Sequence, residues 1–145
     1  MKRKYEFTGE TMERSGRTLY RIRAVRDFGD VKAGDLGGWI EKEGNLDHFG
    51  NAWVYGDAWV HGDAMVEKTN HILTISPIGS RNDVVYFMRA KDEKIIVAVG
   101  CFSGTIDEFE KAVKETHGDN EHGKAYRLAI ELAKLRIDLD KEETK

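Results

Sequence analysis

Residues 50–67 read GNAWVY, GDAWVH and GDAMVE, which are three consecutive units of six residues. This period is typical of a three-sided β-solenoid, in which each unit supplies one short strand and one corner. Alanine and valine lie two positions apart in every unit, so both side chains point to the same face of a strand, and Gly with Asn or Asp supplies the turn. The side chains of Trp53, Tyr55, Trp59 and Met65 are therefore predicted to face outward.

The predicted solenoid is short. A degenerate unit, GNLDHF, occupies residues 44–49, and AGDLGGWI at residues 33–40 reads as an older coil with altered spacing. Repeat units of this kind are stable only when they stack on neighbours. Because two coils leave open strand ends, we expect the rest of the chain or a second copy of it to cover them.

Composition limits the class of protein. The chain has 145 residues, of which 40% are hydrophobic and 34% charged, and its net charge is -3. It can bury the core of one domain or of two small ones, and its charge does not favour a protein that coats long nucleic acid. No apolar run approaches the length of a membrane span and no signal peptide is evident, so we expect a cytoplasmic protein.

The single cysteine, Cys101, excludes an internal disulfide and a cysteine-based zinc cluster. It follows a hydrophobic strand and precedes a predicted helix, where its pKa could be lowered, although burial as a small apolar residue is the alternative. The five histidines show no metal-ligand spacing. We therefore predict neither a metal nor a cofactor.

The chain is predicted to divide into a β-rich segment, residues 1–70, and an α+β ligand-binding domain, residues 71–145. In the first segment, residues 5–9 and 18–26 alternate apolar and polar side chains, and Ser15-Gly16 is a candidate hairpin turn. Basic side chains crowd the outward side of the second strand, and a solvated strand face accounts for them.

The second segment is predicted to contain a small antiparallel sheet and a two-helix hairpin. Its three strands cover residues 71–75, 84–89 and 95–99, and Thr105 with Glu108 forms a capping box that opens the first helix. The second helix runs to about residue 137. Its predicted apolar stripe consists of Ala125, Leu128, Ala129, Leu132 and Leu135. A sheet this small is marginal alone, so we expect a homo-oligomer.

No nucleophile and base stand in a recognisable motif, and no phosphate-binding glycine loop is present, so an enzyme is not expected. The loop at residues 76–83 is a candidate ligand site instead. Its Arg81 offers a bidentate fork for phosphate, and Asn82 can bind a base edge or a ribose. An ordinary turn between strands is the alternative interpretation.

Three further residues complete the candidate set, because a purine needs a stacking face, a group that reads its edge and a cation. Phe109 could stack on the base, Asn120 could bind its edge, and Arg136 could stack or contact phosphate. Each also has a structural explanation: core packing for Phe109, a helix N-cap for Asn120, and a favourable charge at a helix C-terminus for Arg136.

Both halves resemble proteins of phages. The motif DLGGWI at residues 35–40, followed by the Gly-Asp-Ala-Trp-Val repeats, resembles small phage and prophage proteins with hexapeptide-like β-solenoids. The second half resembles phage anti-Thoeris sponge proteins in IGSRN at residues 78–82, GCFSGT at residues 100–105 and THGDN at residues 116–120. The repeats are too short to imply the acyltransferase activity of longer hexapeptide proteins.

The sponge resemblance implies an oligomer that sequesters cyclic ADP-ribose isomers, and in some members cyclic oligonucleotides, at protomer interfaces. It implies that Arg81 contacts phosphate, that Phe109 and Arg136 sandwich adenine, and that Asn120 hydrogen-bonds the base. The N-terminal repeats depart from the minimal sponge.

These observations lead to three hypotheses for the function of the protein. The leading hypothesis is a phage-derived anti-defence sponge that binds a nucleotide-based immune signal without turnover. The second is a structural or adaptor protein that binds a protein partner through the outward aromatic side chains of the repeats. The third is a nuclease or cyclic-nucleotide hydrolase that uses His117, Asp119 and His122, which lie close together in the sequence.

Overall fold

The computed structural model describes residues 3–100 and 102–139. The chain divides into two compact units, Met1–Thr69 and Asn70–Lys145, and the predicted boundary lies one residue from this division. The described residues form two four-stranded sheets and two α-helices, which confirms the mixed α+β class. The predicted burial of Cys101 lies outside the described residues. No helix in the described part of the chain is both long and apolar enough to cross a membrane.

The N-terminal unit contains one mixed sheet. Its strands, in spatial order, are β1 (Tyr5–Arg14), β2 (Arg17–Ala24), β3 (Leu36–Ile40) and β4 (Trp59–Val60). The first three are antiparallel neighbours, and β3 pairs with β4 in parallel. Ser15 and Gly16 have φ values of 51° and 76°, the conformation that a two-residue hairpin turn requires, so the predicted turn is confirmed.

The repeats bury one face, as predicted. The alanines and valines of all three units are inaccessible to solvent, namely Ala52, Val54, Ala58, Val60, Ala64 and Val66. The amide of Trp39 donates to the carbonyl of Ala58 at 2.9 Å, and the amide of Asp47 donates to the carbonyl of Val66 at 2.9 Å. The repeats therefore stack on the preceding segment as two parallel rungs. Within the described residues these rungs do not close into a solenoid, because the β1–β2 hairpin occupies the other edge of β3.

The predicted outward orientation of the two repeat tryptophans is wrong. Trp53 is 3% exposed and Trp59 is 1% exposed, whereas Tyr55 is 61% exposed, as expected. Trp53 packs edge-on against Phe28 with ring centroids 5.2 Å apart, and Trp59 lies under the guanidinium of Arg14 at 4.7 Å. Segments before the repeats thus cover their outer side as well. The aromatic surface required by the adaptor hypothesis is reduced to Tyr55.

The basic side chains of the hairpin are paired with acidic ones. Arg23 donates from Nε to Oε2 of Glu6 at 3.1 Å, and Arg17 donates from Nη1 to Oε1 of Glu41 at 2.8 Å. Arg21 lies 4.0 Å from a carboxylate oxygen of Glu10. This strand face therefore alternates in charge and does not form a continuous positive surface.

The start of β1 is anchored to the segment that leads into the repeats. The backbone amide of Lys4 donates to Nδ1 of His48 at 2.9 Å, and its Nζ donates to the carbonyl of Ala52 at 2.7 Å. Tyr5 donates its hydroxyl to the carbonyl of Leu46 at 2.6 Å and stacks on His48 with ring centroids 4.1 Å apart. Burial lowers the pKa of Lys4 to about 8. The carbonyl contacts keep this buried ammonium hydrogen-bonded.

The buried imidazole of His61 makes the N-terminal unit sensitive to acid. It stacks on Trp59 with ring centroids 4.3 Å apart. Burial, assisted by the positive charge of Arg17, lowers its pKa to about 4. Between pH 6.5 and pH 4 the unfolded chain binds a proton that the folded chain excludes, so stability falls as the pH falls through this range.

We expect the free energy of unfolding of this unit to decrease by about 2 kcal/mol between pH 7 and pH 5 through His61. All three tryptophans, Trp39, Trp53 and Trp59, lie in this unit, so urea unfolding followed by tryptophan fluorescence measures it selectively. The variant His61→Phe keeps an aromatic ring against Trp59 and should lose this dependence. An equal decrease in the variant would mean that another group is responsible.

The C-terminal unit contains an antiparallel sheet and a helical hairpin. Its strands, in spatial order, are β5 (Ile72–Ile78), β6 (Asp83–Ala90), β7 (Lys94–Val99) and β8 (Phe102–Thr105), followed by α1 (Ile106–His117) and α2 (Glu121–Arg136). The three predicted strands and both helices are confirmed. The fourth strand, β8, was not predicted, because FSGT lacks the alternation of a strand and is held by its pairing with β7.

Both helix starts are confirmed. The amide of Glu108 donates to Oγ1 of Thr105 at 3.2 Å, and the amide of Thr105 donates to Oε1 of Glu108 at 2.8 Å, which completes the capping box. The amide of Gly123 donates to Oδ1 of Asn120 at 2.9 Å. Asn120 is therefore the N-cap of α2.

The predicted core-facing stripe of α2 is largely wrong. Of its five members Ala129 is buried and Ala125 packs against the core while partly buried; the other core residues are Tyr126, Ile130, Ala133 and, just beyond the helix, Ile137. The helix carries apolar residues on two faces, and the sheet packs against the face with the aromatic ring. The three leucines of the predicted stripe remain exposed.

Candidate ligand-binding site

Two cavities of the C-terminal unit are lined by residues of the loop that joins β5 to β6. The first, of about 360 Å³, is called the arginine cavity, and its principal lining residues are Arg81, Asp83, Phe102, Phe109, His117 and Tyr126. The second, of about 480 Å³, is called the leucine groove, and it lies between β5 and α2. Both volumes are in the range of small-molecule sites.

The structure brings only some of the predicted site residues together. Arg81 and Phe109 line the arginine cavity, whereas Asn82 lines the leucine groove. Asn120 and Arg136 line neither of these two cavities; Asn120 caps α2 and Arg136 is its last residue. The adenine sandwich of Phe109 and Arg136 that the resemblance implies is therefore not assembled in either cavity of one chain.

Phe109 belongs mainly to the hydrophobic core. Its side chain is 3% exposed. Its ring lies 5.3 Å from that of Phe102 and 5.4 Å from that of Tyr126, the latter edge to face. It can form the floor of the arginine cavity, but it does not present a free face on which a base could stack. Phe102 and His117 are half-buried and line the same cavity, so they are better placed for such a contact.

Arg81 is an exposed cation at the mouth of the arginine cavity. It makes no hydrogen bond or ion pair within residues 3–100 and 102–139, in contrast to the paired arginines of the N-terminal hairpin. A free guanidinium beside a cavity can bind a phosphate or carboxylate through two parallel hydrogen bonds. The cavity can therefore accept an anionic group at this end.

Tyr126 forms the inner wall of the arginine cavity. A Cβ atom at Gly79 would lie 2.1 Å from its hydroxyl oxygen, so the loop backbone approaches closely enough to require glycine there. The ring of His117 stacks on it with centroids 5.7 Å apart. Burial, together with the negative charge of Asp83, raises the pKa of Tyr126, so its hydroxyl stays protonated at neutral pH.

The cluster of His117, Asp119 and His122 does not form an acid–base site. The two imidazoles are 5.7 Å apart, but His117 lines the arginine cavity and His122 lines the leucine groove. Asp119 is turned to Arg127, with 3.5 Å between Oδ1 and Nη2. In the described residues no three potential metal ligands converge. The geometry gives the hydrolase hypothesis no support.

The sequence did not single out Phe102 or Tyr126 and indicated His117 only as a hydrolase residue, yet all three line the arginine cavity. Phe102 lies in the motif GCFSGT, and it begins β8 beside the cavity. Tyr126 is not a member of the predicted apolar stripe of α2. Its place in the repeat of buried positions 126, 129, 130 and 133 was the available signal.

Neither models of known protein families, nor curated proteins, nor solved structures match the chain significantly.

Proposed function

We propose that the C-terminal unit binds a nucleotide-based signalling molecule in the arginine cavity and holds it without turnover. The observation that carries this proposal is the free guanidinium of Arg81 beside a cavity walled by Phe102, His117 and Tyr126. A nucleotide needs both features, a cation for its phosphate and an aromatic surface for its base. Arginine forks and aromatic stacking can bind a nucleotide through hydrogen bonds and ring contacts, with no covalent step.

The resemblance to phage proteins suggests a biological role for this binding. The ligand would be a cyclic ADP-ribose isomer or a cyclic oligonucleotide that serves a host as an immune signal, and the protein would be a cytoplasmic, phage-derived sponge that removes it. The stacked rungs of the N-terminal unit would represent a short hexapeptide β-solenoid. The adaptor function lacks the aromatic surface that it requires, since Trp53 and Trp59 are buried.

Replacing Arg81 tests the site. We expect Arg81→Ala to weaken binding of a cyclic ADP-ribose isomer by roughly 10- to 100-fold, since a charge-assisted hydrogen bond to phosphate is worth about 1.5–3 kcal/mol. Isothermal titration calorimetry measures this loss. Lys91→Ala is the control, because Lys91 is an exposed cation of this unit that lines neither cavity. Unchanged affinity in Arg81→Ala would remove Arg81 from the site.

The absence of turnover is tested on the same complex. The protein is incubated with the cyclic nucleotide, washed and heated, and the released molecules are analysed by mass spectrometry. Recovery of the intact ligand supports sequestration, whereas a linear or hydrolysed product would show an enzyme. A protein that binds none of the cyclic ADP-ribose isomers or cyclic oligonucleotides would contradict the proposed ligand class.

A further inference from the structure

The outer face of α2 carries three exposed leucines that continue a row begun by Ala125, which is partly buried against the core of the unit. We call Ala125, Leu128, Leu132 and Leu135 the leucine stripe. The three leucines are 68%, 42% and 81% exposed, respectively, while the opposite face of the same helix is buried against the sheet. Three large aliphatic side chains in one row exceed the scattered exposure that is usual on a monomer.

The spacing of the stripe is that of a coiled-coil seam. Its members are separated by three, four and three residues, which is the alternation of a and d positions in a heptad. A single core-facing stripe would not need this second row. The two rows explain why α2 is apolar on both sides, since one packs on its own sheet and the other is available to another helix.

The leucine groove extends this apolar surface beyond the helix. Leu128 and Leu132 form its helical wall, and Ile75, Pro77 and Ile78 form the wall on β5. Because β5 is an edge strand of its sheet, the groove lies at the margin of the unit. A helix laid along the stripe would therefore also cover an apolar depression beside it.

The charges beside the stripe indicate which helix fits. Taking Ala125 as position a, Glu131 occupies a g position and Arg136 the following e position. In a parallel pair of identical helices, each g residue faces the e residue of the next heptad on the other chain. Glu131 and Arg136 are both exposed, and neither has an ion pair within the described ranges. The stripe is thus complementary to a copy of itself in charge as well as in apolar surface.

We propose that the leucine stripe is the interface of a parallel, two-fold symmetric homodimer. In it, the leucines of the two α2 helices form the seam, and Glu131 of each chain pairs with Arg136 of the other. Residues 140–145 read DKEETK and contain no apolar side chain that could cover the stripe. The proposal does not depend on the ligand of the arginine cavity.

Sedimentation velocity over a range of protein concentrations tests the interface. We expect the wild-type protein to form a dimer as its concentration rises, and Leu128→Glu to raise the dissociation constant at least about tenfold, as for a central interface residue. Leu36→Glu is the matched control, because Leu36 is an exposed leucine of the N-terminal unit. Circular dichroism checks that both variants retain their helices.

Charge reversal tests the parallel arrangement. Glu131→Arg and Arg136→Glu should each weaken the dimer, and the two changes together in one chain should restore it, since the reversed pair is again complementary. A failure of the combined variant to restore the dimer would overturn the parallel pairing. A wild-type protein that stays monomeric at all concentrations, or a dimer that survives Leu128→Glu unchanged, would overturn the interface itself.

Discussion

Gly38→Ala is expected to unfold the N-terminal unit. A Cβ atom at this position would lie 2.4 Å from the carbonyl oxygen of Ala58 and 2.8 Å from Cγ1 of Val54. The amide of Gly38 also donates to the carbonyl of Val54 at 2.7 Å, so the added methyl group would enter the space between two hydrogen-bonded rungs. The first contact is with a backbone atom, which cannot relieve the clash by a change of rotamer as a side chain can.

We expect a loss of about 3 kcal/mol or more, the upper end of the range for overpacking. That is a large part of the total stability of a unit of this size. Urea unfolding followed by tryptophan fluorescence measures the loss. Gly44→Ala provides the control, because a Cβ atom there would have no neighbour within 4 Å. Similar, small effects of both substitutions would show that the rungs can separate without cost.

Phe109→Ala is expected to destabilise the C-terminal unit by about 3–5 kcal/mol, as for deletion of a buried aromatic ring. The ring contacts Phe102 and Tyr126, and lies edge to face with Phe87 at 6.3 Å. Its removal leaves a void where the sheet meets both helices. Circular dichroism at 222 nm during urea unfolding follows this unit, since both α-helices of the described chain belong to it.

Substitutions of Phe109 also distinguish a role in the core from a role in ligand binding. Phe109→Leu retains most of the volume and should recover much of the stability. Near-native stability of Phe109→Ala, combined with loss of nucleotide binding, would contradict the core assignment and favour the stacking role that the phage resemblance implies.

The sequence predicted local features better than the packing between them. Ala58 and Val60 face inward because the six-residue period fixes their side, and the Thr105 capping box is encoded within four residues. The orientation of Trp53 depended on Phe28 and Tyr5, which precede it by more than twenty residues. The six-residue period cannot predict that a hairpin from elsewhere in the chain covers the outer side of the repeats.

The packing of α2 also could not be predicted from its sequence pattern. Leu128, Leu132 and Leu135 give the stronger apolar row by composition, yet the sheet packs against Tyr126 and Ile130. A pattern reveals that a face is apolar but not what covers it. The same limit applies to the candidate site. Arg81, in the β5–β6 loop, and Phe109, in α1, line the same cavity, whereas Arg136 is the last residue of α2 and does not line it.

The anchoring of Lys4 has a consequence for synthesis on the ribosome. Its bonding partners His48 and Ala52 are translated 44 and 48 residues later. Until β3 has been translated, β1 and β2 can pair only with each other, and an isolated two-stranded hairpin is marginally stable in water. The apolar side chains of Tyr5, Leu19 and Ile22 therefore remain accessible to chaperones and proteases until the repeats emerge. A nascent chain arrested before Val66 would lack the rung that completes this unit, and we expect it to be degraded rather than to accumulate.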